Sequence, residues 1–340
     1  MTQYGGIVLA VAGIISFALA AVLGKVLIPW LHKLKFGQTI LEDGPTWHQK
    51  KQGTPTMGGI LFIGGFMVAA LVAVVLMAVL APGKFFPNTY QCAGFWAGIG
   101  LALGCGLIGF ADDYIKVVKK RNLGLTAIQK ILLQLLVATA YAVVMYIFGK
   151  GQFHIPFIGY VDWGIWYIPF TVFVIIAMSN ATNLTDGVDG LCGFTGFIAA
   201  LALLLLSGLA RALPQGVLSV SLAGGLAGFL IWNFHPAQVF MGDTGSLFIG
   251  GALTALAFGL DEPFLLVPIG ILYIAENLSV ILQVAYFKIT HGKRLFKMSP
   301  LHHHFEMCGW SENRIVLTFA GVTLVGCLIA LVLFWFGAQA

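Results

Sequence analysis

Residues 58–80 read GGILFIGGFMVAALVAVVLMAVL, a stretch that contains no charged side chain. About 20 consecutive apolar residues are enough for a helix to cross a bilayer, so this stretch predicts a transmembrane helix. The whole chain has the same character, because 59% of its 340 residues are hydrophobic and only 9% are charged. Roughly a quarter of the residues of a soluble protein are charged. The composition therefore excludes a soluble or disordered chain and indicates a protein with many transmembrane segments.

Nine further apolar runs predict transmembrane helices on either side of this stretch. The ten predicted spans cover residues 7–30, 58–80, 93–111, 127–148, 165–183, 191–209, 217–232, 246–260, 264–286 and 315–336. Each run is continuously apolar, whereas the strands of a membrane barrel alternate apolar and polar residues over about ten positions. The predicted fold is therefore an all-α polytopic membrane protein with about ten transmembrane helices, in which residues 1–340 form a single transmembrane domain.

The positively charged residues predict how these helices are oriented. Three alternate loops are rich in Lys and Arg: 31–57, 112–126 and 287–314. They hold four, four and five such residues, whereas the opposite loops hold three in total. Lys and Arg accumulate in cytoplasmic loops, so both termini are predicted to lie outside and the basic loops in the cytoplasm. The net charge of +5 is then largely a consequence of topology. The expected environment is the lipid bilayer, and no nucleic-acid partner is expected.

Five of the 13 acidic residues lie at span ends or in very short loops on the predicted cytoplasmic side: Asp112, Asp113, Asp186, Asp189 and Asp243. Carboxylates at a membrane boundary are costly to desolvate unless a cation or solvent meets them. Mg²⁺ prefers one or two carboxylates together with phosphates and water. The acids therefore predict a shared metal and phosphate site. The alternative is that each acid caps a helix, which suits Asp243 but explains poorly the two acids that follow a span, where the helix dipole opposes a carboxylate.

Three predicted cytoplasmic segments combine glycine with hydroxyl residues: GTPTMGG (53–59), NLTDGVDGLCG (183–193) and MGDTGS (241–246). Backbone N–H groups in such turns can bind phosphate, although none of the three has the spacing of a Walker motif. The run PLHHHFE (300–306) follows in the last basic loop. Three consecutive histidines on a helix cannot all face one metal ion, so a polar wall for an anionic substrate is favoured over a zinc site.

Four motifs, taken in order, resemble those of the polyprenyl-phosphate N-acetylhexosamine-1-phosphate transferases. They are FADDY (110–114), NLTDGVDGL (183–191), FMGDTGS (240–246) and PLHHHFE (300–306). The resemblance extends from about residue 45 to residue 314, and a ten-span topology with external termini agrees with it. GTPTMGG and the complete triple-histidine run favour the branch of the family whose donor is UDP-N-acetylmuramoyl-pentapeptide.

The resemblance implies a reaction in peptidoglycan synthesis. Undecaprenyl phosphate would attack the β-phosphate of UDP-N-acetylmuramoyl-pentapeptide, which releases UMP and forms lipid I at the cytoplasmic face of a bacterial plasma membrane. The family implies a requirement for Mg²⁺ and a homodimer. Two alternatives remain open at this point: a sister transferase that uses another UDP-sugar, and a transporter, which the position of the acids disfavours because transporter sites usually lie near the middle of the membrane.

The resemblance also implies roles for individual residues. We expect Asp243, with Asp113 and Asp186, to hold the metal, and Asp112 to orient the lipid phosphate. His302 and His303 would position substrate. The remaining residues expected to bind substrate are Lys51, Thr56, Lys130, Asn180, Asn183, Asp186, Asp189, Asn233, Phe240 and His304. Among these, Asp189 would recognise uracil and Phe240 would stack on it.

Some residue assignments stay open. Phe240 is one of 27 phenylalanines and could instead pack in the membrane, and Lys130 could be an ordinary lysine at a span end. Glu276 lies inside a predicted span without an evident partner, so it receives no role. Direct attack by the lipid phosphate is favoured over a covalent aspartyl intermediate, although the sequence does not decide between them.

Overall fold

A computed structural model describes residues 3–33, 53–119, 123–149 and 151–337. The helices in it are α1 (Gly5–Lys33), α2 (Gly59–Leu80), α3 (Thr89–Val118), α4 (Ala127–Gly149), α5 (Tyr167–Thr185), α6 (Leu191–Leu209), α7 (Leu213–Asn233), α8 (Gly242–Gly259), α9 (Leu266–Ile269), α10 (Ile271–Ile289), α11 (Leu301–Glu306) and α12 (Glu312–Gly337). Each of the ten predicted spans coincides with a helix or with most of one, so the predicted all-α class is confirmed.

Nine helices of the described ranges are long and apolar enough to cross a membrane. The remaining predicted span, 246–260, belongs to α8, which has 18 residues and is buried from Thr244 to Gly259. A helix that is enclosed by other helices does not need a lipid-facing apolar surface. The helix α8 is therefore the central element of the bundle, and α3, α5 and α2 pack around it.

Two predicted boundaries were wrong. The predicted span 264–286 is interrupted, because a 3-10 turn (Pro263–Leu265) and α9 precede α10, which begins at Ile271. Pro268 has no backbone N–H to donate, and Gly270, two residues later, leaves helical geometry. The helix α3 also continues past the predicted end at residue 111 to Val118, so Asp112 and Asp113 lie inside the helix and not after it. Hydropathy marks the apolar part of a helix, and α3 extends beyond that part.

A short hairpin lies between α4 and α5. Its strands are β1 (Gln152–Ile155) and β2 (Gly159–Asp162), which pair antiparallel. Phe153 on β1 is buried against Tyr167 and Phe258, which belong to the start of α5 and the end of α8. We call this end of the bundle the hairpin end.

The acidic motifs are at the other end of the bundle, which we call the motif end. It contains the last turns of α3, α5 and α7, the first turns of α4, α6 and α8, and the short helix α11. The end of α12 contacts the hairpin at Pro156, and the beginning of α1 packs beside the beginning of α7. The two terminal helices therefore start and finish at the hairpin end. Which end faces the cytoplasm stays a prediction.

Candidate functional site

Three carboxylates converge where α3 packs against α8. Asp112 and Asp113 lie near the end of α3, and Asp243 lies in the first turn of α8. One oxygen of each carboxylate is within 4.8 Å of the others. The two helices approach this closely because Gly109 has no side chain: a Cβ atom at that position would overlap the carbonyl oxygen of Asp243. We call Asp112, Asp113 and Asp243 the three-acid site.

Asp113 connects the two helices. It accepts hydrogen bonds from the backbone N–H of Asp243 at 3.2 Å, the backbone N–H of Thr244 at 2.9 Å and the Thr244 hydroxyl at 2.7 Å. These N–H groups belong to the first turn of α8, where backbone donors lack helical partners and favour negative charge. The capping alternative is thus partly realised, since Asp113 caps α8 from a neighbouring helix while it also belongs to the three-acid site.

Two lysines face these acids. Lys116 Nζ lies 2.6 Å from Asp112 Oδ2 and 3.3 Å from Asp243 Oδ2. Lys130, at the start of α4, donates to Asp243 Oδ2 at 2.6 Å. Three carboxylates and two ammonium groups leave one net negative charge if all five are ionised. Lys116 was not predicted as a site residue, although its position four residues after Asp112 on one helix was a usable signal.

The end of α5 also contributes side chains near the three-acid site. Asn183 Nδ2 donates to Asp243 Oδ1 at 2.9 Å and lies 2.9 Å from the Ser246 hydroxyl. Asn180, one turn earlier, instead donates to Gln134 Oε1 on α4 at 3.0 Å. Asn183 therefore contacts the three-acid site directly, whereas Asn180 joins α5 to α4.

Asp186 directly follows α5 and lies near the same carboxylates. Burial first, and then the charges of Asp243 and Asp113, raise the pKa of the Asp186 carboxyl above its ordinary value. Among the described residues, however, the set of mutually close oxygens contains Asp112 in place of Asp186. The predicted metal-binding set of Asp243, Asp113 and Asp186 therefore differs from the closest set, because adjacent residues of α3 reach α8 together.

The arrangement fits a divalent cation. Carboxylate oxygens are ligands that hard divalent cations prefer, and one oxygen of each of three carboxylates lies within 4.8 Å of the others. Cationic groups already lie against these oxygens, since Lys116 and Lys130 contact them. The site thus attracts positive charge and leaves excess negative charge for a metal ion to neutralise.

A second cluster lies beside the loop of residues 186–190. Asp189 Oδ2 accepts the backbone N–H of Ala237 at 3.1 Å and lies 3.0 Å from His235 Nδ1. Glu312, at the start of α12, is 3.6 Å from the same histidine nitrogen. His235 and Glu312 were not predicted as site residues. A lone histidine and a span-end acid, 77 positions apart by their numbers, carry no local signal, and only the fold brings them to Asp189.

The predicted nucleoside residues lie next to this cluster. Asn233 accepts the backbone N–H of Gly190 at 3.1 Å and donates to the carbonyl of Val239 at 2.9 Å. Phe240 follows Val239, and its backbone bonds to Pro55 and Gly58 on either side of the buried Thr56. The structure thus brings Asp189, Asn233, Phe240 and Thr56 to neighbouring positions. Lys51 lies outside the described residues.

The three histidines of α11 have three different partners. His302 is buried and contacts Glu276 of α10 at 3.2 Å. His303 Nδ1 lies 2.6 Å from Glu306 Oε2, and His304 Nδ1 accepts the backbone N–H of Lys297 at 3.1 Å. His302 also packs on Gly187 between Asp186 and Asp189. Through His302, α11 therefore joins the 186–190 loop.

Two sequence families match the chain. The family described as glycosyl transferase family 4 matches residues 95–260, which include the three-acid site and the 186–190 loop. The family described as phospho-N-acetylmuramoyl-pentapeptide-transferase signature 1 matches residues 51–63, the segment around Thr56. Both matches therefore include segments that form the motif end.

Several curated relatives are similar over nearly the whole chain. A phospho-N-acetylmuramoyl-pentapeptide-transferase of Clostridium perfringens (strain 13 / Type A) is 45% identical over 323 residues, which cover 95% of this chain and 97% of the relative. A protein of the same name from Desulforudis audaxviator (strain MP104C) is 46% identical over 95% of this chain and 97% of the relative. One from Listeria monocytogenes serotype 4b (strain CLIP80459) is 42% identical over 93% of this chain and 95% of the relative.

Proposed function

The chain belongs to the phospho-N-acetylmuramoyl-pentapeptide-transferases, and we propose that the motif end carries out their reaction. In this reaction phospho-N-acetylmuramoyl-pentapeptide passes from its UDP-linked precursor to undecaprenyl phosphate, and the products are lipid I and UMP. The similarity to relatives of this name favours that donor over another UDP-N-acetylhexosamine. The chain is thus an enzyme of peptidoglycan synthesis.

The observation that carries this proposal is the convergence of three carboxylates and two lysines at one end of a membrane bundle. The reaction must bring a phosphate monoester against a diphosphate, so its main difficulty is repulsion between negative charges. A divalent cation beside two ammonium groups would reduce this repulsion. Its position at the end of the bundle also suits substrates that come from water and from lipid.

We propose Mg²⁺ as the cofactor. Asp243 would hold it together with Asp113, and Asp112 or Asp186 would complete the carboxylate ligands. When bound, a divalent cation at this site would polarise the diphosphate and stabilise the charge on departing UMP. Lys130 lies 2.6 Å from Asp243 and would neutralise the same diphosphate from the side of α4.

The lipid phosphate needs little help from a base. The second pKa of a phosphate monoester is about 6, so at neutral pH it is mostly a dianion. Lys116, which extends from α3 to Asp112, would neutralise this dianion, and Asp112 would take its remaining proton when it has one. A lipid phosphate oxygen forms a bond to the β-phosphorus. The bond from that phosphorus to the bridging oxygen breaks, and UMP leaves with the electron pair.

Direct attack is favoured over a covalent aspartyl intermediate. Asp113 accepts three hydrogen bonds from the first turn of α8. Asp112 and Asp243 are each paired with a lysine at 2.6 Å. These hydrogen bonds and ion pairs occupy the carboxylate oxygens, and an oxygen so occupied is a weaker nucleophile than the lipid phosphate dianion.

The nucleoside of the donor would bind beside the 186–190 loop. Asp189 would accept a hydrogen bond from uracil, and Phe240 would stack on the ring, with Asn233 and Thr56 as neighbours. Asn180 and Asn183 would line the path from the nucleoside to the three-acid site. The substrate-binding roles of Lys51, His303 and His304 belong to the same proposal. We further propose that the motif end faces the cytoplasm of a bacterial plasma membrane and that the enzyme is a homodimer.

The deciding experiment measures UMP release by detergent-solubilised protein given UDP-N-acetylmuramoyl-pentapeptide. The assay is run with and without undecaprenyl phosphate, and with and without Mg²⁺. Release that requires both is the expected result. One equivalent of UMP released with metal but without lipid would overturn direct attack in favour of a covalent intermediate. No release from folded protein under any condition would overturn the proposed function itself.

A further inference from the structure

Glu276 lies on the inward face of α10 and is completely buried. That face also contains Tyr273, whose hydroxyl bonds to Thr195, and Ser279, whose hydroxyl bonds to the carbonyl of Glu276. A buried carboxyl group in a transmembrane helix is energetically costly, so we expect it to have a partner and a functional role. The reaction derived above uses no atom of Glu276.

The partner of Glu276 is His302. Glu276 Oε1 lies 3.2 Å from the backbone nitrogen of His302 and 3.2 Å from its ring nitrogen Nδ1. One carboxylate oxygen can accept both bonds only if Nδ1 carries a proton. The backbone N–H belongs to the first turn of α11, where the N-cap residue Pro300 provides no side-chain acceptor. Glu276 therefore anchors both the backbone and the ring of His302.

The other ring nitrogen of His302 determines its protonation state. Nε2 is buried and has no hydrogen-bond partner among the described residues. A proton on Nε2 would be a buried donor without an acceptor, and such donors are rarer in proteins than unpaired acceptors. The geometry thus favours a neutral ring with its proton on Nδ1 and a lone pair on Nε2.

His302 packs against the loop that carries two of the predicted substrate-binding acids. A Cβ atom at Gly187 would overlap His302 Nε2, so the ring approaches the backbone as closely as only glycine allows. Asp186 directly precedes Gly187, and Asp189 follows two residues later. The position of the His302 ring therefore limits where this loop can lie relative to the three-acid site.

We propose that Glu276 is a positioning residue that acts through His302. It holds the ring as the Nδ1–H tautomer against Gly187, and this contact keeps Asp186 and Asp189 in place for the UDP-linked donor. The part of the inference that concerns the donor rests on the proposed function. The tautomer and the contact with Gly187 do not depend on it.

The first test measures the tautomer in the wild-type protein. Nitrogen NMR of protein labelled at its histidines, at neutral pH, should report a protonated Nδ1 and an unprotonated Nε2 for His302, with the resonance assigned by its loss in His302→Asn. Glu276→Gln should shift this resonance, because the charged acceptor of the Nδ1 proton is gone. A wild-type ring that is protonated on Nε2 would overturn the proposal, whatever the catalytic assays give.

The second test is a double-variant cycle in the UMP-release assay. Removing a residue that supports a directly acting one typically costs 10–100-fold, so Glu276→Gln should lower kcat/KM by about that factor. In a His302→Asn background the same change should add less than about twofold, since a residue that acts through another has no further effect once that residue is replaced. Effects that multiply would overturn the proposal.

Two further variants separate positioning from folding. Gly187→Ala adds a Cβ atom against His302 and should lower kcat/KM while it also shifts the His302 resonance. Glu262→Gln makes the same chemical change in the His154–Glu262 pair of the hairpin end, where the two side chains are 2.7 Å apart. That control should leave kcat/KM within about twofold of wild type. Inactive wild-type protein with the expected tautomer would count against the proposed function, and not against the pairing of Glu276 with His302.

Discussion

Both ends of the bundle bury carboxyl groups, but they surround them differently. At the motif end, Asp112 and Asp243 are 2.6 Å from the ammonium groups of Lys116 and Lys130. At the hairpin end, Asp261 lies near the Tyr90 hydroxyl, which donates to the carbonyl of Phe258, and Glu262 is 2.7 Å from His154 Nδ1. The acids at the motif end thus lie beside positively charged ammonium groups. The acids at the hairpin end lie beside a phenol and an imidazole, which are neutral or easily become neutral.

The pKa values at the hairpin end follow from this difference. Burial raises the pKa of Asp261 to about 7, and burial together with the charge of Asp261 raises the pKa of Glu262 to about 8. Burial also lowers the pKa of His154. Glu262 and His154 therefore tend toward a close contact between neutral groups. The acids at the motif end differ, because lysine ammonium groups lie beside the oxygens that would hold a metal ion.

The largest effect should come from one acid-to-amide change made at each end. Asp243→Asn removes a negative charge that two lysines and the proposed metal contact, and we expect UMP release to fall at least about 10³-fold. Asp261→Asn is the matched control, because Asp261 has a φ of 65°, a conformation that asparagine tolerates. It should retain close to wild-type turnover. Equal losses in the two variants would show that the two ends do not differ in function.

The lysines provide the next test of the comparison. Lys116→Met removes the cation that contacts Asp112 and Asp243, so kcat should fall about 10²-fold. Lys116→Arg keeps the charge and should recover part of this loss. Lys84→Met, in the exposed loop at the hairpin end, should leave kcat unchanged. A Lys116→Met enzyme with normal kcat would remove Lys116 from the proposed mechanism.

A smaller effect should follow when α3 and α8 are pushed apart. Gly109→Ala introduces a Cβ atom that overlaps the carbonyl of Asp243. Overpacking of this kind costs about 1–3 kcal/mol, and the shift of Asp243 should lower activity about tenfold. Gly100→Ala, nine residues earlier on α3, has open space around the new Cβ and serves as the control. Its thermal unfolding temperature should match or exceed that of the wild type, because alanine favours helix over glycine.

The smallest expected effect concerns the pH dependence of stability at the hairpin end. The folded-state pKa of Glu262, about 8, lies above its ordinary value of 4.5. The folded protein therefore holds this proton more tightly than the unfolded chain, and the resulting stability is complete below about pH 4.5 and declines as pH rises to about 8. In Glu262→Gln this decline should disappear. Between pH 6 and pH 9, the unfolding temperature of the variant should fall less than that of the wild type when both are measured in the same detergent. Parallel curves of unfolding temperature against pH would contradict the assigned pKa.

Much of the fold and the centre of the site could be predicted because their signals are local. An apolar run such as 58–80 requires no knowledge of its neighbours to be identified as a helix. The acids of FADDY and FMGDTGS lie within short motifs, and Asn183 and Asp186 within another, so their selection did not depend on the packing of the helices. The break before α10 was missed because the run 264–286 is apolar on both sides of Pro268 and Gly270.

Contacts between distant segments could not be predicted. Lys130 was a candidate, but its bond to Asp243 depends on how α4 packs beside α8. Glu276 had no evident partner in the sequence. The structure pairs it with His302 of α11, which lies 26 residues further along the chain. His235 and Glu312 had no motif at all, and they join Asp189 only through the packing of α7, α6 and α12.

The sequence by itself thus determined that the chain is a helical membrane protein and which acids are candidates for its chemistry, since span length, charge distribution and motif spacing are properties of short segments. The tertiary structure decided which carboxylates lie together, that Asp112 joins Asp113 and Asp243 within 4.8 Å, and which cations face them. These choices depend on close helix contacts such as that of Gly109 with α8. A contact of this kind is a distance between segments far apart in the chain, and spacing within one segment does not encode it.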